Sequence, residues 1–302
     1  MIVNKPGDRH ASYDLHLHTY WSYDATTNPK RYFQRARDLG MRCIAITDHH
    51  ILDSLEEVLS IADGYPDVRA IPSAELTVTT SIGSVDLLCY GFPRQLSVEL
   101  REVLEIYHDW QRAAGEAWCR GMQSLGYEYS DAQRVALLDS YRPSKAIQAQ
   151  GHTHVKNQVQ RSYFIQRGFI AAEDEYPTLA DRFRERVSFP PYPSVARVIP
   201  VVRQAGVRVA IAHPYRYFDG YDVARMDALC DECRLDGIEC AHPSVPLEYT
   251  QLYRAYCVRN GLFSVGGSDC HADVEVQGLF GRHIGEEAWL DELLQALGES
   301  DG

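Results

Sequence analysis

The chain has 302 residues, of which 45% are hydrophobic and 24% are charged, as is typical of a soluble globular protein. Its formal net charge of −12 argues against a long duplex nucleic acid as partner, because such binding depends on neutralising phosphates with a basic face. No apolar run is long enough to cross a membrane, and residues 1–10 lack the apolar stretch of an export signal. We therefore expect a cytoplasmic protein whose eight cysteines are reduced.

Strands and helices alternate along most of the chain. Apolar runs rich in β-branched residues predict seven strands, at 13–18, 42–47, 68–75, 84–91, 207–212, 236–240 and 262–267. Amphipathic patterns predict helices at 29–40, 52–63, 194–205, 222–234, 246–260 and 286–297. This alternation predicts an α/β fold with a mostly parallel sheet, either open or closed into a barrel. In both arrangements the ligand site lies at the carboxyl ends of the strands.

The alternation is interrupted between the fourth and fifth strands. Apolar residues recur at helical spacing from Leu100 to Leu125, and further helical patterns follow at 144–167 and 176–187. We predict a helical insertion that folds over the mouth of the barrel. The expected division is therefore a first barrel part, the insertion and a second barrel part, at 10–93, 94–193 and 194–298.

Metal-binding side chains follow several of the predicted strands. His16 and His18 alternate on the first strand, so both imidazoles point to the same side of the sheet. Further candidates stand at or beyond other apolar runs, namely Asp24, Asp48-His49-His50, Glu75, His154, His213 and Asp269-Cys270-His271. Nitrogen and carboxylate ligands without thiolates suit Mn²⁺, Fe²⁺ or Zn²⁺. The pattern predicts a multinuclear metallohydrolase.

These motifs resemble those of the polymerase and histidinol phosphatase (PHP) superfamily of metal-dependent phosphoesterases. The matching segments are Asp14-Leu15-His16-Leu17-His18-Thr19, Ile46-Thr47-Asp48-His49, Ala74-Glu75, Ala212-His213-Pro214 and Gly267-Ser268-Asp269-Cys270-His271. The resemblance implies a distorted (β/α)7 PHP barrel with two or three divalent metal ions, with Mn²⁺ favoured and Fe²⁺ or Zn²⁺ as alternatives. By position, it implies that the metal ligands are His16, His18, Asp24, His49, Glu75, His154, His213, Asp269 and His271.

Within that superfamily the chain is most similar to the nucleoside-monophosphate phosphatase and 5′→3′ exoribonuclease branch. The similarity rests on the helical insertion, on Gly151-His152-Thr153-His154 and on Gly237-Ile238-Glu239. Two positions depart from the branch. Asp86 stands where a histidine ligand is usual, and a carboxylate can also bind a hard divalent ion. His152 stands where an arginine is usual, and either His152 or His154 could be the ligand.

The expected reaction is hydrolysis of a small phosphate ester by metal-bound hydroxide. Its substrate would be a nucleoside 5′-monophosphate, a 3′,5′-bisphosphate or the 5′ end of a short oligonucleotide. The residues assigned to catalysis are His16, His18, His213, Asp269 and His271. The residues assigned to the substrate phosphate are Arg216, Arg197 and His152, with Arg282 as a further option. Asp48, His50 and Glu239 are expected to hold the ligands in place.

Several alternatives stay open at this point. Asp24 could be a turn residue or helix cap, Glu75 could pair with an arginine, and Asp86 could be a carboxylate without a metal. A phosphatase of the histidinol-phosphate type and a non-catalytic metal-binding PHP module are alternative functions. A zinc amidohydrolase is disfavoured because no lysine falls at a strand end. We expect His10 and His283 to lie on the surface.

Overall fold

One sheet forms the centre of the protein, which we describe from a computed structural model of residues 10–298. Its strands occur in the sheet in the same order as in the chain. They are β1 (Tyr13–Leu17), β2 (Cys43–Ile46), β3 (Arg69–Thr80), β4 (Gly83–Tyr90), β5 (Arg208–Ile211), β6 (Gly237–Ala241) and β7 (Phe263–Gly266). All seven predicted strands are therefore confirmed.

The sheet curls into a nearly closed barrel. Strands β1 to β3 are parallel, β4 is antiparallel to both of its neighbours, and β5 to β7 are parallel again. A parallel bridge between Leu17 and Cys270 joins the two ends of the sheet. The Tyr32 hydroxyl reinforces this seam by donating to the carbonyls of His18 and Cys270, at 2.8 Å each. The predicted (β/α)7 barrel is confirmed.

Twelve α-helices surround the barrel or lie between β4 and β5 in the described residues. They are α1 (Pro29–Leu39), α2 (Leu55–Ala62), α3 (Val98–Ser124), α4 (Asp131–Asp139), α5 (Ser144–Gln150), α6 (Asn157–Gln166), α7 (Tyr176–Leu179), α8 (Val195–Gln204), α9 (Val223–Cys233), α10 (Leu247–Asn260), α11 (Asp273–Gly278) and α12 (Glu287–Ala296). None of them combines the length and the apolar character needed to span a membrane.

The first helix shows how local sequence sets these elements. The Asn28 side chain accepts a hydrogen bond from the amide of Lys30, and Pro29 occupies the first turn, where its missing N–H costs nothing. Gly40 ends the helix with a φ of 66°, a left-handed conformation that glycine adopts without strain. Between these caps the helix buries Tyr32 and Phe33 against the sheet.

The helices between β4 and β5 have an apolar core of their own. Its buried members include Tyr129, Phe164 and Phe183, separate from the larger core that surrounds the barrel strands. The single helical stretch predicted at 144–167 is wrong, because Gly151, with a φ of 76°, ends α5 and an irregular segment precedes α6. The division of the chain at residues 93 and 193 stays a prediction.

These helices are tied to the loop that follows β1. The Tyr141 hydroxyl donates to the carbonyl of Tyr23 at 2.6 Å, and Arg142 donates to the carbonyl of Trp21 at 2.9 Å. Since this loop also carries Asp24, the segment between β4 and β5 helps to place one of the predicted metal ligands.

Candidate metal centre

Strand β1 supplies the middle of the centre. The side chains of His16 and His18 are both fully buried, with their Nε2 atoms 3.1 Å apart. Each Nε2 lies beside two carboxylates, at 3.2 and 3.3 Å from Glu75 Oε2 and at 3.3 and 3.1 Å from Asp269 Oδ1. The two imidazoles therefore lie on the same side of the sheet, as predicted. They face one carboxylate from β3 and another that follows β7.

On one side of His18, a group of three histidines and one carboxylate forms. The rings of His49 and His271 stack against His18, with centroids 4.3 and 4.2 Å away. Asp24 Oδ2 lies 3.4 Å from His49 Nε2 and 3.5 Å from His271 Nε2. Its other oxygen is buried and has no hydrogen-bond partner among the described residues. Asp24 therefore faces the predicted ligands and does not cap a helix.

On the other side, His16 meets the end of β5. His213 Nε2 lies 3.2 Å from Glu75 Oε1, while the other oxygen of Glu75 contacts His16 Nε2 and, at 3.2 Å, His49 Nδ1. Glu75 was expected at a strand end and instead lies within β3, because β3 continues to Thr80 as a hairpin with β4. From that position its carboxylate lies between the two groups, as a bridging ligand requires.

A histidine that the sequence analysis missed also reaches this centre. His242 directly follows β6, and its Nε2 lies 3.3 Å from Asp269 Oδ2. The signal was present, because Ala241-His242-Pro243 repeats Ala212-His213-Pro214 at the end of the preceding strand.

Three residues of this region have left-handed backbone conformations that are rare for side-chain-bearing residues. The φ angles are 65° at His50, 27° at His213 and 55° at Asp269. Such conformations cost of order 1–3 kcal/mol each and persist only where the surrounding structure holds them. Here each one lies just after a strand, where it turns the chain at the mouth of the barrel.

Hydrogen bonds to Nδ1 leave Nε2 available in three of the histidines. His16 Nδ1 donates to Glu239 Oε1 at 3.0 Å, and His271 Nδ1 donates to the carbonyl of Asp269 at 2.8 Å. His18 Nδ1 lies 3.3 Å from Ser22 Oγ, which donates its own proton to Asp48 at 2.9 Å. An acceptor at Nδ1 keeps the proton there and presents an unprotonated Nε2, the form that binds a metal.

The predicted supporting residues thus have identified contacts. Glu239 also accepts the amide of His213 at 2.6 Å, so one buried carboxylate serves two candidate ligands. His50 Nε2 contacts Thr77 Oγ1 at 2.8 Å, and its ring stacks on Tyr107 of α3 with centroids 5.1 Å apart. His50 therefore connects the end of β2 to the first helix of the segment between β4 and β5.

The carboxylates of the centre depend on the neighbouring histidines for positive charge. Burial alone would raise the pKa of Glu75, but His16 and His49 hold it well below its usual range. The pKa values of Asp24 and Asp269 are lowered well below normal in the same way, by the histidines that surround them. In the part of the chain that the structure describes, no lysine or arginine forms an ion pair with these three carboxylates.

This arrangement fits divalent metal ions. One fully buried carboxylate and two partly exposed ones need compensating positive charge, and the histidines can supply it only by becoming protonated. Divalent cations would supply that charge instead, leave the histidines neutral as ligands, and give the unpartnered Asp24 oxygen a partner. Nitrogen and oxygen donors without thiolate suit Mn²⁺, Fe²⁺ or Zn²⁺.

Two further predicted ligands lie at the edge of this cluster. Asp86 on β4 accepts hydrogen bonds from Thr77 at 2.5 Å and Tyr217 at 2.6 Å, and its Oδ2 is 3.9 Å from His213 Nε2. The ring of His154, between α5 and α6, packs on Tyr23 with centroids 3.8 Å apart. Burial lowers the pKa of His154 to about 4, so it is neutral at physiological pH. Its ligand role and that of Asp86 stay predictions.

The residues predicted to contact substrate lie at the surface. His152, Arg197 and Arg216 are all exposed, and the carbonyl of His152 accepts a hydrogen bond from Arg134. The structure does not bring these three side chains into contact with the buried cluster. The surface position predicted for His283 is wrong, because that side chain is buried and its Nε2 lies 2.8 Å from the carbonyl of Tyr13.

Comparison with known proteins finds a partial match to the family that the motifs resemble. Residues 14–141 match the PHP domain. The matched stretch contains His16, His18, His49 and Glu75 and ends before His213. No curated protein matches the sequence of the chain significantly. The domain match covers 128 of the 302 residues, from β1 into the helices that follow β4.

Two solved structures are similar over almost the whole chain. A protein from Bifidobacterium adolescentis, provisionally described as a metal-dependent phosphoesterase, has a TM-score of 0.70 and 22% identity, covering 96% of each chain. An amidohydrolase from Chromobacterium violaceum, solved with bound sulfate and no metal, has a TM-score of 0.73 and 19% identity, covering 95% of this chain and 97% of its own. At these identities the similarity shows the fold, which extends beyond residue 141 into β5 to β7.

Proposed function

We propose that the chain is a metal-dependent phosphoesterase that hydrolyses a small phosphate monoester or nucleotide. The observation that carries this proposal is the buried cluster of histidines and carboxylates at one end of the barrel. Its carboxylates lack lysine or arginine partners in the described residues. The PHP domain match and the phosphoesterase description of the B. adolescentis protein support the same class of reaction.

Two or three divalent ions, with Mn²⁺ favoured, would be held by two sets of ligands that share Glu75. The first set is His18, Asp24, His49 and His271, with His154 as a predicted ligand at its edge. The second set is His16, His213 and Asp269, with Asp86 as a predicted ligand at its edge. When bound, such ions supply Lewis-acid chemistry, which lowers the pKa of water and neutralises charge on a phosphoryl group.

The protein's own residues orient the metal ligands and limit the size of the substrate. Glu239 holds His16 and the backbone of His213 through one carboxylate, which fixes two ligands relative to each other. Trp110 and Tyr192 stack with centroids 4.0 Å apart, and Trp110 packs edge-on against His154. From these aromatic rings beside His154 we infer a preference for a small organic phosphate over a long polymer. Arg216 is the predicted contact for the phosphate at the surface.

The test is phosphate release by Mn²⁺-loaded protein. The substrates are adenosine monophosphate, adenosine 3′,5′-bisphosphate, histidinol phosphate and a short 5′-phosphorylated RNA. We expect His18→Ala and Asp269→Ala to abolish release while the far-ultraviolet circular dichroism spectrum is kept. His108→Ala is the matched control, since this histidine lies on α3 and pairs with Asp53 at 2.9 Å, away from the cluster.

The pattern of release decides between the candidates. Preference for a nucleotide supports the nucleotide branch, while preference for histidinol phosphate selects the alternative phosphatase. Phosphate release by His18→Ala at the wild-type rate would show that another site performs the reaction. No release from any substrate by metal-loaded protein would refute the phosphoesterase proposal for this substrate class and favour a non-catalytic metal-binding module.

A further inference from the structure

His242 differs from the neighbouring histidines in the proton that it carries. Its Nδ1 accepts the backbone amide of Ser244 at 3.0 Å and lies 2.7 Å from the Ser244 hydroxyl. A backbone N–H can only donate, so Nδ1 must be the unprotonated nitrogen of the neutral ring. The proton therefore resides on Nε2, which points at Asp269 Oδ2 at 3.3 Å.

This tautomer is the reverse of the one that prepares a metal ligand. His16, His18 and His271 each place an acceptor at Nδ1 and so present an unprotonated Nε2. His242 presents an N–H instead, although its Nε2 lies close enough to His16 and Asp269 for all three to share an ion. Proximity alone would make His242 a ligand, but a protonated nitrogen has no lone pair to offer a metal.

The two oxygens of Asp269 face different partners. Oδ1 lies 3.3 Å from His16 Nε2 and 3.1 Å from His18 Nε2, on the metal side, while Oδ2 faces His242. The Asp269 side chain is 27% exposed and its backbone has a φ of 55°. A carboxylate in this position can rotate toward solvent unless something holds its second oxygen.

We propose that His242 is a positioning residue that donates from Nε2 to Asp269 Oδ2 and thereby holds Oδ1 toward the metal ions. Ser244 fixes the tautomer through its backbone amide, so His242 and Ser244 after β6 and the aspartate after β7 act as one unit. The inference rests on the proposed function only in that Asp269 must bind a metal.

Two substitutions at this position separate a donor from a ligand. His242→Gln keeps a side-chain N–H donor but is a poor metal ligand, whereas His242→Asp can bind a metal but cannot donate when ionised. If His242 positions Asp269, then the glutamine variant should retain Mn²⁺ affinity within a few-fold. His242→Asp and His242→Ala should each weaken Mn²⁺ binding about 10–100-fold, the usual effect of losing a partner of a ligand. Affinity is measured by competition with a fluorescent chelator, with circular dichroism as the check on folding.

A second readout does not depend on any variant. In ¹⁵N-histidine-labelled protein, the ring nitrogens of His242 should report a proton on Nε2 before and after addition of Zn²⁺. Nε2 of His16, His18 and His271 should shift as a bound nitrogen does.

The two possible failures are distinguishable. Wild-type protein that binds no Mn²⁺ or Zn²⁺ would remove the proposed function itself. Wild-type protein that binds metal, together with retained affinity in His242→Asp, loss in His242→Gln and a metal-induced shift at His242 Nε2, would overturn only this inference and make His242 a ligand.

Discussion

Replacing Glu239 by glutamine tests how the centre sets the proton positions of its histidines. The carboxylate accepts from His16 Nδ1 at 3.0 Å and from the backbone amide of His213 at 2.6 Å. The amide of His213 can only donate, so the side-chain oxygen of the introduced glutamine must turn toward it. The NH2 group of that glutamine then faces His16 Nδ1, which must accept, and the proton of His16 moves to Nε2.

The size of the effect follows from what His16 then loses. With a proton on Nε2, His16 can bind a metal only by breaking the new hydrogen bond, and the charge-assisted bond from its Nδ1 is gone. Losing the partner of a ligand typically costs 10–100-fold in metal affinity, which is about 1.4–2.7 kcal/mol. The substitution preserves side-chain volume, so the packing of β6 is unchanged.

The assay is Mn²⁺ affinity by chelator competition, together with the ¹⁵N shifts of the His16 ring in metal-free protein. Glu292→Gln is the matched control, because Glu292 pairs with Arg254 on α10, away from the cluster. Mn²⁺ affinity of Glu239→Gln within twofold of wild type, or an unchanged proton on His16 Nδ1, would show that Glu239 does not set the proton position of His16.

Three further substitutions test the packing and the charge of other regions. A Cβ at Gly267 would overlap the side chain of His16 and lie 2.7 Å from its backbone nitrogen. Gly267→Ala should therefore lower the metal content and reduce the unfolding free energy by about 1–3 kcal/mol. A urea midpoint equal to that of the wild type would contradict this. Phe164 is fully buried among the helices between β4 and β5, so Phe164→Ala should cost about 3–5 kcal/mol in chemical denaturation, and a loss below about 1 kcal/mol would show that this core is dispensable. Burial lowers the pKa of His108, but the hydrogen bonds and negative charges of Asp53 and Glu105 together outweigh burial and raise this pKa. The His108–Asp53 pair therefore stabilises the fold fully below about pH 6.5, and this stabilisation is lost as the pH rises through the raised pKa of His108. His108→Gln should thus destabilise the protein more at about pH 6 than at about pH 9, and a pH-independent difference would argue against the pair.

The strands were predictable because each one buries a short run of apolar, β-branched residues. The helices around the barrel were predictable for a similar reason, since each presents one apolar stripe to the sheet. Helix α4 was missed because only Arg134 and Leu138 are buried along it, which leaves little periodicity in the sequence. Helix α11 was missed because it is only 6 residues long.

The candidate site was predictable in its members more than in its arrangement. Most of the histidine and carboxylate ligands come directly after predicted strands, and the carboxyl ends of parallel strands lie together at one end of a barrel. The position of Glu75 within β3 was missed although its signal is local, because residues 76–80 continue the β-branched pattern and pair with β4 through a tight turn. The protonation of His16 and His242 depends on Glu239 and Ser244, and such partners become visible only once the strands are placed side by side.

The seam between β1 and β7 has a consequence for the order of events during synthesis. Asp14 on β1 accepts the amide of Ser268, 254 positions later in the chain, and His16 and His18 meet Asp269 across the same seam. A ribosome-bound chain that has emerged only as far as β6 contains the histidines of β1 but neither Asp269 nor His271. A metal centre that includes Asp269 and His271 would therefore be completed only after β7 has been synthesised.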